Sequence, residues 1–303
     1  MSTLGLFENI DSNRRRSVIL IVGAMVFLMA VGAGLGLSTD VTPWAGMAVA
    51  LVLGMVLTLV AWKRGSSIVL SAVGAREIGK HDDPELVNVV EEMCIASNLP
   101  RPKIYLIDSS ATNAFASGMK PEESVVAITR GLREQLSREE LQGVIAHELA
   151  HVGNYDTRVM VLMAVIVGSV AILSDWYLRT MRFSGRARGK GGALVLVLSI
   201  LFAILAPLIA MLIQFAVSRR REYLADATAA AMTRNPLALA VALEKLAGTR
   251  QRLETANRGT QHLFIVNPFR QRQERSSAFS THPPLAERIR RLRAIAGRSA
   301  PRA

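Results

Sequence analysis

The stretch His147-Glu148-Leu149-Ala150-His151 is the most informative part of this 303-residue chain. Residues four apart on an α-helix lie on one face, so the imidazoles of His147 and His151 point to the same place. Glu148 lies beside them on the same turn. This spacing is the HExxH pattern, in which two histidines bind a zinc ion and the glutamate acts on a water molecule at the metal. The stretch therefore predicts a helix that carries a metal site.

The residues before this stretch indicate that it lies well inside a helix. Ser137 and Glu140 form a capping-box pattern, which predicts a helix start. Apolar residues then recur at helical spacing and would bury one side: Leu141, Val144, Ile145 and Leu149. A short motif also arises by chance, and the alternative is the polar face of an ordinary soluble helix. The chain has only five histidines, and two of them on one helical face favour the metal site.

A catalytic zinc site requires a third protein ligand and an open position for water. The candidate is Glu222, in the stretch SRRREYLAD at residues 218–226. Asp226 is four residues further on and shares its helical face, so it can accept a hydrogen bond from the outer N–H of a ligand histidine and orient that ring. The alternative is an exposed helix on which Arg221 and Glu222 are solvated charges.

Four motifs in order carry a family resemblance. They are HELAH at 147–151, SRRREYLAD at 218–226, STHPPL at 280–285 and the pair Arg288-Ile289. In this order, with apolar segments between the first two, the chain resembles the HtpX family of membrane-bound zinc metalloproteases, which is related to the CaaX prenyl endopeptidases. The resemblance extends over nearly the whole chain.

The resemblance implies a fold and an activity. The expected fold class is α+β, mainly α: a multipass membrane protein with a zincin-like metalloprotease domain and one Zn²⁺ per chain. The expected substrates are polypeptides, namely misfolded or damaged membrane proteins handled in membrane quality control and the stress response. Two alternatives stay open, a dedicated protease for one signalling or lipid-modified substrate and a non-catalytic, zinc-stabilised membrane scaffold. Glu148 argues against the scaffold, because a structural zinc site does not need it.

The composition is that of a basic membrane protein. Half of the residues are hydrophobic, the mean hydropathy is +0.30, and 36 basic against 24 acidic residues leave a net charge of +12. No recognition-helix, RNP-like or zinc-finger pattern supports nucleic-acid binding. The basic residues cluster beside apolar segments, which favours contact with anionic membrane lipids; simple control of topology and solubility is the alternative. The single cysteine, Cys94, excludes an internal disulfide.

Two uncharged runs near the N-terminus are long enough to cross a bilayer, Val18–Leu37 and Trp44–Trp62. Arg14-Arg15-Arg16 precede the first run and Lys63-Arg64 follow the second, whereas the turn between them has no basic residue. The positive-inside rule places both outer ends in the cytoplasm. A signal peptide is disfavoured because the first run is long and lacks a clear cleavage site. We therefore expect a bacterial inner-membrane protein with its active site facing the cytoplasm.

Two further apolar runs follow the HExxH stretch, Val159–Leu178 and Ala193–Val217. Their length favours two more spans, but the loop between them carries five positive charges, at Arg179, Arg182, Arg186, Arg188 and Lys190. Two full spans would place this loop outside, against the positive-inside rule. A shallow hairpin at the cytoplasmic surface is the alternative.

The apolar runs and the motifs together predict a division of the chain into four parts. Residues 1–66 form the tail and first hairpin, residues 67–158 and 218–303 form two parts of the catalytic domain, and residues 159–217 form the second apolar pair.

The region before the zinc helix predicts a helix over Pro84–Ser97 and short strands at Lys103–Ile107 and Val125–Thr129. Between the strands lies Asn113-Ala114-Phe115-Ala116. In zincins an edge strand beside the metal pairs with the extended substrate, and the family resemblance assigns this role here, so Asn113 and Ala114 are the candidate substrate-binding residues. The alternative is an ordinary turn with a buried Phe115.

The C-terminal stretch predicts a helix over Glu287–Ile295, with Leu292 and Ile295 inward and the arginines at 288, 290, 291 and 293 outward. Arg288 is a candidate for a further role, since it matches the family's motif. His282, in the STHPPL stretch, is the candidate for stabilising the oxyanion of the transition state; a structural role in a proline turn is the alternative. His81 and His262 are interpreted as bystanders. No oligomeric state is predicted.

Overall fold

A computed structural model describes residues 3–38, 42–164, 219–249, 251–256, 260–266, 268 and 283–299. The apolar run Ala193–Val217, the basic loop before it and His282 lie outside the described residues. Of the run Val159–Leu178, residues 159–164 are described and are helical. The described residues form a mainly helical protein with one small sheet, as the α+β prediction requires.

The N-terminal runs belong to two long helices, α1 (Thr3–Ser38) and α2 (Pro43–Ala72), which pack along each other. Thr42 caps α2 by accepting a hydrogen bond from the N–H of Ala45. The contact is close at Gly54, where an added Cβ would lie 2.7 Å from Met25 Sδ. Among the described residues one helix, α2, is long and apolar enough to cross a membrane, and only 11% of its most apolar window is buried.

The sheet has four strands: β1 (Ala75–Ile78), β2 (Lys103–Ile107), β3 (Ala114–Ser117) and β4 (Val125–Thr129). The order is β1-β2-β4-β3, with β2 and β4 parallel and the two outer pairs antiparallel. The predictions of β2 and β4 are confirmed to the residue. All five residues of β4 are buried, which explains its continuous apolar sequence. The sheet leaves β3 at one edge.

Helices α3 (Pro84–Ser97), α4 (Arg130–Gln135) and α5 (Arg138–Gly153) accompany the sheet. The predicted α3 is confirmed, with Asp83 capping its start and Asn98 in the left-handed conformation at its end. The predicted capping box of α5 is also confirmed, since the side chain of Ser137 accepts from the N–H of Glu140 and the N–H of Ser137 donates to the carboxylate of Glu140. The apolar side of α5 is fully buried.

Three further helices complete the core, α6 (Arg219–Thr233), α7 (Pro236–Gly248) and α8 (Leu285–Ser299). Helices α6 and α7 both pack against α5. At Gly143 of α5 an added Cβ would lie 2.9 Å from the backbone nitrogen of Leu239 in α7, so no larger residue fits there. The inward position of Leu292 on α8 is confirmed, but the outward position predicted for Arg288 is wrong, because this side chain is 0% exposed.

Candidate metal centre

Helices α5 and α6 bring the three candidate ligand side chains together in the interior. His151 Nε2 lies 3.2 Å from His147 Nε2 and 3.5 Å from Glu222 Oε1. His147 Nε2 lies 3.8 Å from Glu222 Oε2. A tetrahedral zinc site with bonds of about 2.0–2.1 Å has ligand atoms about 3.3 Å apart. The donor types and the spacing of the three side chains therefore fit a zinc ion with one position left open.

The packing of α6 on α5 explains how a residue 71 positions beyond His151 reaches the site. Helix α6 packs against α5, and its two alanines at 225 and 229 are fully buried. Glu222 and Asp226 flank this contact at the spacing of one turn, and both are buried. The carboxylates therefore point toward α5 rather than into solvent, as the predicted shared face requires.

The outer nitrogen of each histidine contacts a carboxylate. His147 Nδ1 lies 3.0 Å from Asp226 Oδ1, which is the contact predicted from the sequence. His151 Nδ1 lies 2.8 Å from Asp156 Oδ2. A carboxylate on Nδ1 fixes the tautomer and orientation of the ring and leaves Nε2 for the metal. Both rings are thus arranged with Nε2 toward the shared position.

A short turn after α5 places Asp156 at His151. The helix ends at Gly153, and Tyr155 adopts a φ of 59°, in the left-handed region. This conformation is uncommon for a large non-glycine residue. The chain is helical again from residue 156, and the Asp156 side chain contacts His151 in the last turn of α5. Arg221 of α6 contacts the same carboxylate, with Nη1 3.3 Å from Asp156 Oδ1.

The guanidinium of Arg288, on α8, contacts the ligand triangle, with Nη2 3.3 Å from His147 Nε2. Its Nε and Nη2 donate to the two oxygens of Asp226 at 2.8 and 2.7 Å, a two-pronged contact. Nη1 lies 3.4 Å from Glu222 Oε2 and donates to the carbonyl of Ile265 at 3.3 Å. The positive charge therefore offsets two buried carboxylates and holds the one that orients His147.

The electrostatic surroundings differ for the two histidines. Burial and the nearby Arg288 guanidinium lower the pKa of His147 to about 4, so its ring is neutral at pH 7, as a metal ligand must be. Burial also acts to lower the pKa of His151, but the Asp156 hydrogen bond and the Glu222 carboxylate outweigh it and raise the pKa to about 9.

Glu148 lies between the ligand triangle and the edge of the sheet. Burial raises the pKa of its carboxyl to about 7, and the N–H of Ala116 opposes this by donating a hydrogen bond to it. A carboxyl with a pKa near the working pH can both take up and release a proton. The Ala116 hydrogen bond also fixes the carboxylate next to β3.

The hydrogen-bond alternation of β3 decides which of its groups face the site. The carbonyl of Asn113 accepts from the N–H of Thr129 on β4, so Ala114 and Ala116 direct their backbone groups to the other edge. The carbonyl of Ala114 accepts there from the N–H of Ile265. The side-chain amide of Asn113 bonds both backbone groups of Val266.

The candidate substrate residues Asn113 and Ala114 are therefore buried and hold residues 265 and 266 against the edge strand. Phe115 is also buried, as the alternative interpretation expected, and packs edge-to-face on Phe264. Their role in binding substrate stays a prediction. His262, interpreted as a bystander, is buried, and its Nε2 donates to the carbonyl of Met160.

Comparison with known proteins identifies the family. The profile described as peptidase family M48 matches residues 80–296, which include both histidines, Glu148 and Glu222. The chain belongs to peptidase family M48. It is 41% identical over 300 residues to a protein named Protease HtpX homolog from Dictyoglomus turgidum, covering 98% of this chain and 97% of the relative. A Listeria monocytogenes serotype 4b protein of the same name is 37% identical over 300 residues, which are 95% of this chain and 99% of the relative.

A solved structure shares the fold. The crystal structure of S. mikatae Ste24p superimposes with a TM-score of 0.51 at 20% identity, over 96% of this chain and 67% of the other. The resemblance to the HtpX family is thus confirmed, and this M48 protein is a membrane-associated metalloprotease. The cluster His147, His151 and Glu222 is the group among its described residues that can hold the metal.

Sequence reasoning missed one residue of the M48 site that the structure makes prominent. Asp156 follows His151 by five positions, which is not a helical spacing, so no periodicity points to it.

Replacing Asp156 by Ala is expected to weaken zinc binding by about 10- to 100-fold, since His151 loses the contact that orients its ring. A chelator titration of the purified protein measures this. Asp108→Ala, at an exposed surface pair with Arg130, is the control, and equal affinities would exclude an orienting role.

Proposed function

We propose that this M48 chain is a zinc-dependent membrane endopeptidase that hydrolyses misfolded or damaged membrane proteins. The observation that carries the proposal is the position of Glu148, buried beside the ligand triangle and bonded to the edge strand. A scaffold that used zinc only for stability has no need of this carboxylate. The similarity to proteins named Protease HtpX homolog supports a protease.

The ligands of the zinc ion are proposed to be His147, His151 and Glu222, with one ion per chain. Two imidazoles and a carboxylate suit zinc among the divalent metals. When bound, zinc would supply a Lewis acid that polarises the scissile carbonyl and lowers the pKa of its water towards about 7. Asp226 and Asp156 hold the two imidazoles by their Nδ1 atoms and increase their basicity.

Glu148 is proposed as the general base and then the general acid. Its carboxylate accepts the proton of the attacking water and, once protonated, donates it to the leaving amine nitrogen. Burial favours the protonated form, which lets the group hold the proton between these two steps. The carboxyl lies beside the edge strand, where the N–H of Ala116 favours its ionised form.

The edge of β3 is proposed to bind the substrate backbone. An extended peptide can add to an exposed edge strand through main-chain hydrogen bonds. Ala116 directs its backbone to this edge beside Glu148, and Asn113 and Ala114 define the end at which residues 265 and 266 already pair with the strand. His282 is proposed to steady the oxyanion, on the strength of its STHPPL motif alone.

The proposed setting is the bacterial inner membrane, with the active site facing the cytoplasm. The charge distribution around α1 and α2 supports it, and so do the exposed apolar side chains of α2. We further propose that Val159–Leu178 and Ala193–Val217 also span, with 67–158 and 218–303 forming the catalytic domain and anionic lipids contacting its basic residues. A shallow hairpin for residues 159–217 is the alternative arrangement.

Metal removal tests the activity. The protein purified in detergent is expected to contain one zinc, to cleave an unfolded test protein, and to lose cleavage after chelation and regain it with added zinc. Zinc content by mass spectrometry and cleavage on gels are the measurements. Cleavage that persists in the fully metal-depleted protein would refute the assignment.

Substrate range is tested in the same preparation. A destabilised variant of a membrane protein and its stable parent are offered together, and quality control predicts faster loss of the destabilised form. Equal resistance of both, with cleavage of one lipid-modified protein instead, would favour the dedicated processing role.

A further inference from the structure

Near its N-terminal end, α1 turns two polar side chains into the protein, Asn13 and, one turn further along, Ser17. In the stretch Asn13-Arg14-Arg15-Arg16, Arg14 and Arg15 are exposed and Arg16 is half-buried, but Asn13 is only 2% exposed. Burying an amide is unfavourable unless its hydrogen-bonding groups are satisfied. The buried Asn13 amide therefore requires hydrogen-bond partners inside the protein.

Both protons of the Asn13 amide are used on the turn that follows the zinc helix. Nδ2 donates at 2.8 Å to the carbonyl of Asn154 and at 2.8 Å to Asp156 Oδ1. The other oxygen of Asp156 contacts His151 Nδ1 at 2.8 Å. One continuous set of hydrogen bonds thus runs from the first apolar helix to a metal ligand.

Asn13 and Arg221 both donate to the Asp156 carboxylate, but the contact from Asn13 is the shorter one. Arg221 contacts the same oxygen at the longer distance of 3.3 Å. Asn13 supplies a shorter, uncharged donor and also bonds the backbone of Asn154. The carboxylate is therefore fixed relative to the turn, and the turn relative to α1.

We infer that Asn13 is a positioning residue of the metal centre: through Asp156 it sets the orientation of His151 and makes the position of α1 a determinant of metal affinity. This inference rests on the proposed metal centre. It gives α1 a role besides anchoring, because a displacement of its cytoplasmic end would be transmitted over two hydrogen bonds to a ligand.

The test compares three full-length variants in detergent. Asn13→Ala removes both donors. Asn13→Asp keeps the shape of the side chain but places a second carboxylate against Asp156. Ser17→Ala is the matched control: Ser17 is one turn further along α1, equally buried at 3% exposed, and bonds only the carbonyl of Asn13 among the described contacts. Zinc affinity is measured by competition with a chromophoric chelator, and circular dichroism verifies the fold.

Asn13→Ala is expected to bind zinc about 10-fold more weakly and to lower kcat with little change in KM, whereas Ser17→Ala matches wild type. Asn13→Asp is expected to be at least as impaired as Asn13→Ala. If Asn13 only filled space, the isosteric Asn13→Asp would instead be the milder variant. Unchanged zinc affinity in either folded Asn13 variant overturns the inference, whereas a wild-type protein without zinc overturns the proposed function.

Discussion

Glu148→Gln is expected to keep the metal and to lower kcat by about 10²- to 10⁴-fold, the range for loss of a general base. The amide has nearly the shape of the carboxylate, and Glu148 lies outside the ligand triangle, so zinc content should not change. The amide oxygen does not accept a proton at neutral pH, so the attacking water keeps its proton. Zinc content and single-turnover cleavage, measured on one preparation, separate the two effects.

Two further variants serve as controls for Glu148→Gln. Glu139→Gln lies on the same helix but is exposed, and it should cleave at the wild-type rate. His147→Ala removes a ligand, and it should lose the zinc together with the activity. Near-normal cleavage by Glu148→Gln would show that another group acts as the base. Zinc loss in Glu148→Gln would show that this carboxylate belongs to the metal's ligand set.

The parts of the site that lie on single helices were predictable from the sequence. His147, Glu148 and His151 share one turn of α5, and Glu222 and Asp226 share one turn of α6, so helical spacing alone places each group on a common face. The capping box at Ser137 and Glu140 located the start of α5 for the same reason, because all its contacts are local. Strands β2 and β4 were also predictable, because both are rich in β-branched apolar residues.

Several contacts that neither helical spacing nor the need for a third zinc ligand determines were not predictable. Asp156 reaches His151 only because Tyr155 adopts a left-handed conformation, which no preference of tyrosine indicates. Asn13 belongs to a stretch whose charge suggests only membrane topology, and its partner is 143 residues away. Strand β1 follows α2 directly and was missed, since its four residues alternate little and derive their pairing from β2.

The outward position predicted for Arg288 from helical spacing was wrong for a physical reason. The wheel assigns arginines to solvent because an unpaired buried charge is costly. On α8 the exposed arginines at 290 and 291 follow that rule and pair with Glu287. Arg288 departs from it because Asp226 and Glu222, from α6, supply the opposite charge in the interior. Only the three-dimensional packing of α8 on α6 reveals these partners.

Arg288→Met is accordingly expected to lower the free energy of unfolding by about 3–5 kcal/mol, the cost of removing one partner from a buried ion pair. Methionine fills a similar volume, so the loss reports mainly the uncompensated charges of Asp226 and Glu222. Denaturant unfolding of the metal-free protein in mild detergent, followed by circular dichroism, measures it. Using metal-free protein prevents changes in zinc affinity from contributing to the result.

The matched control is Arg290→Met, two residues away on α8. Its side chain is 74% exposed and pairs with Glu287 at the surface, so its removal should change stability little. A second change decides the cause: Asp226→Leu in the Arg288→Met background removes the unpaired charge and should recover part of the lost stability. Equal destabilisation by Arg288→Met and Arg290→Met, or no recovery in the double variant, would mean that the buried ion pair does not stabilise α8 against α6.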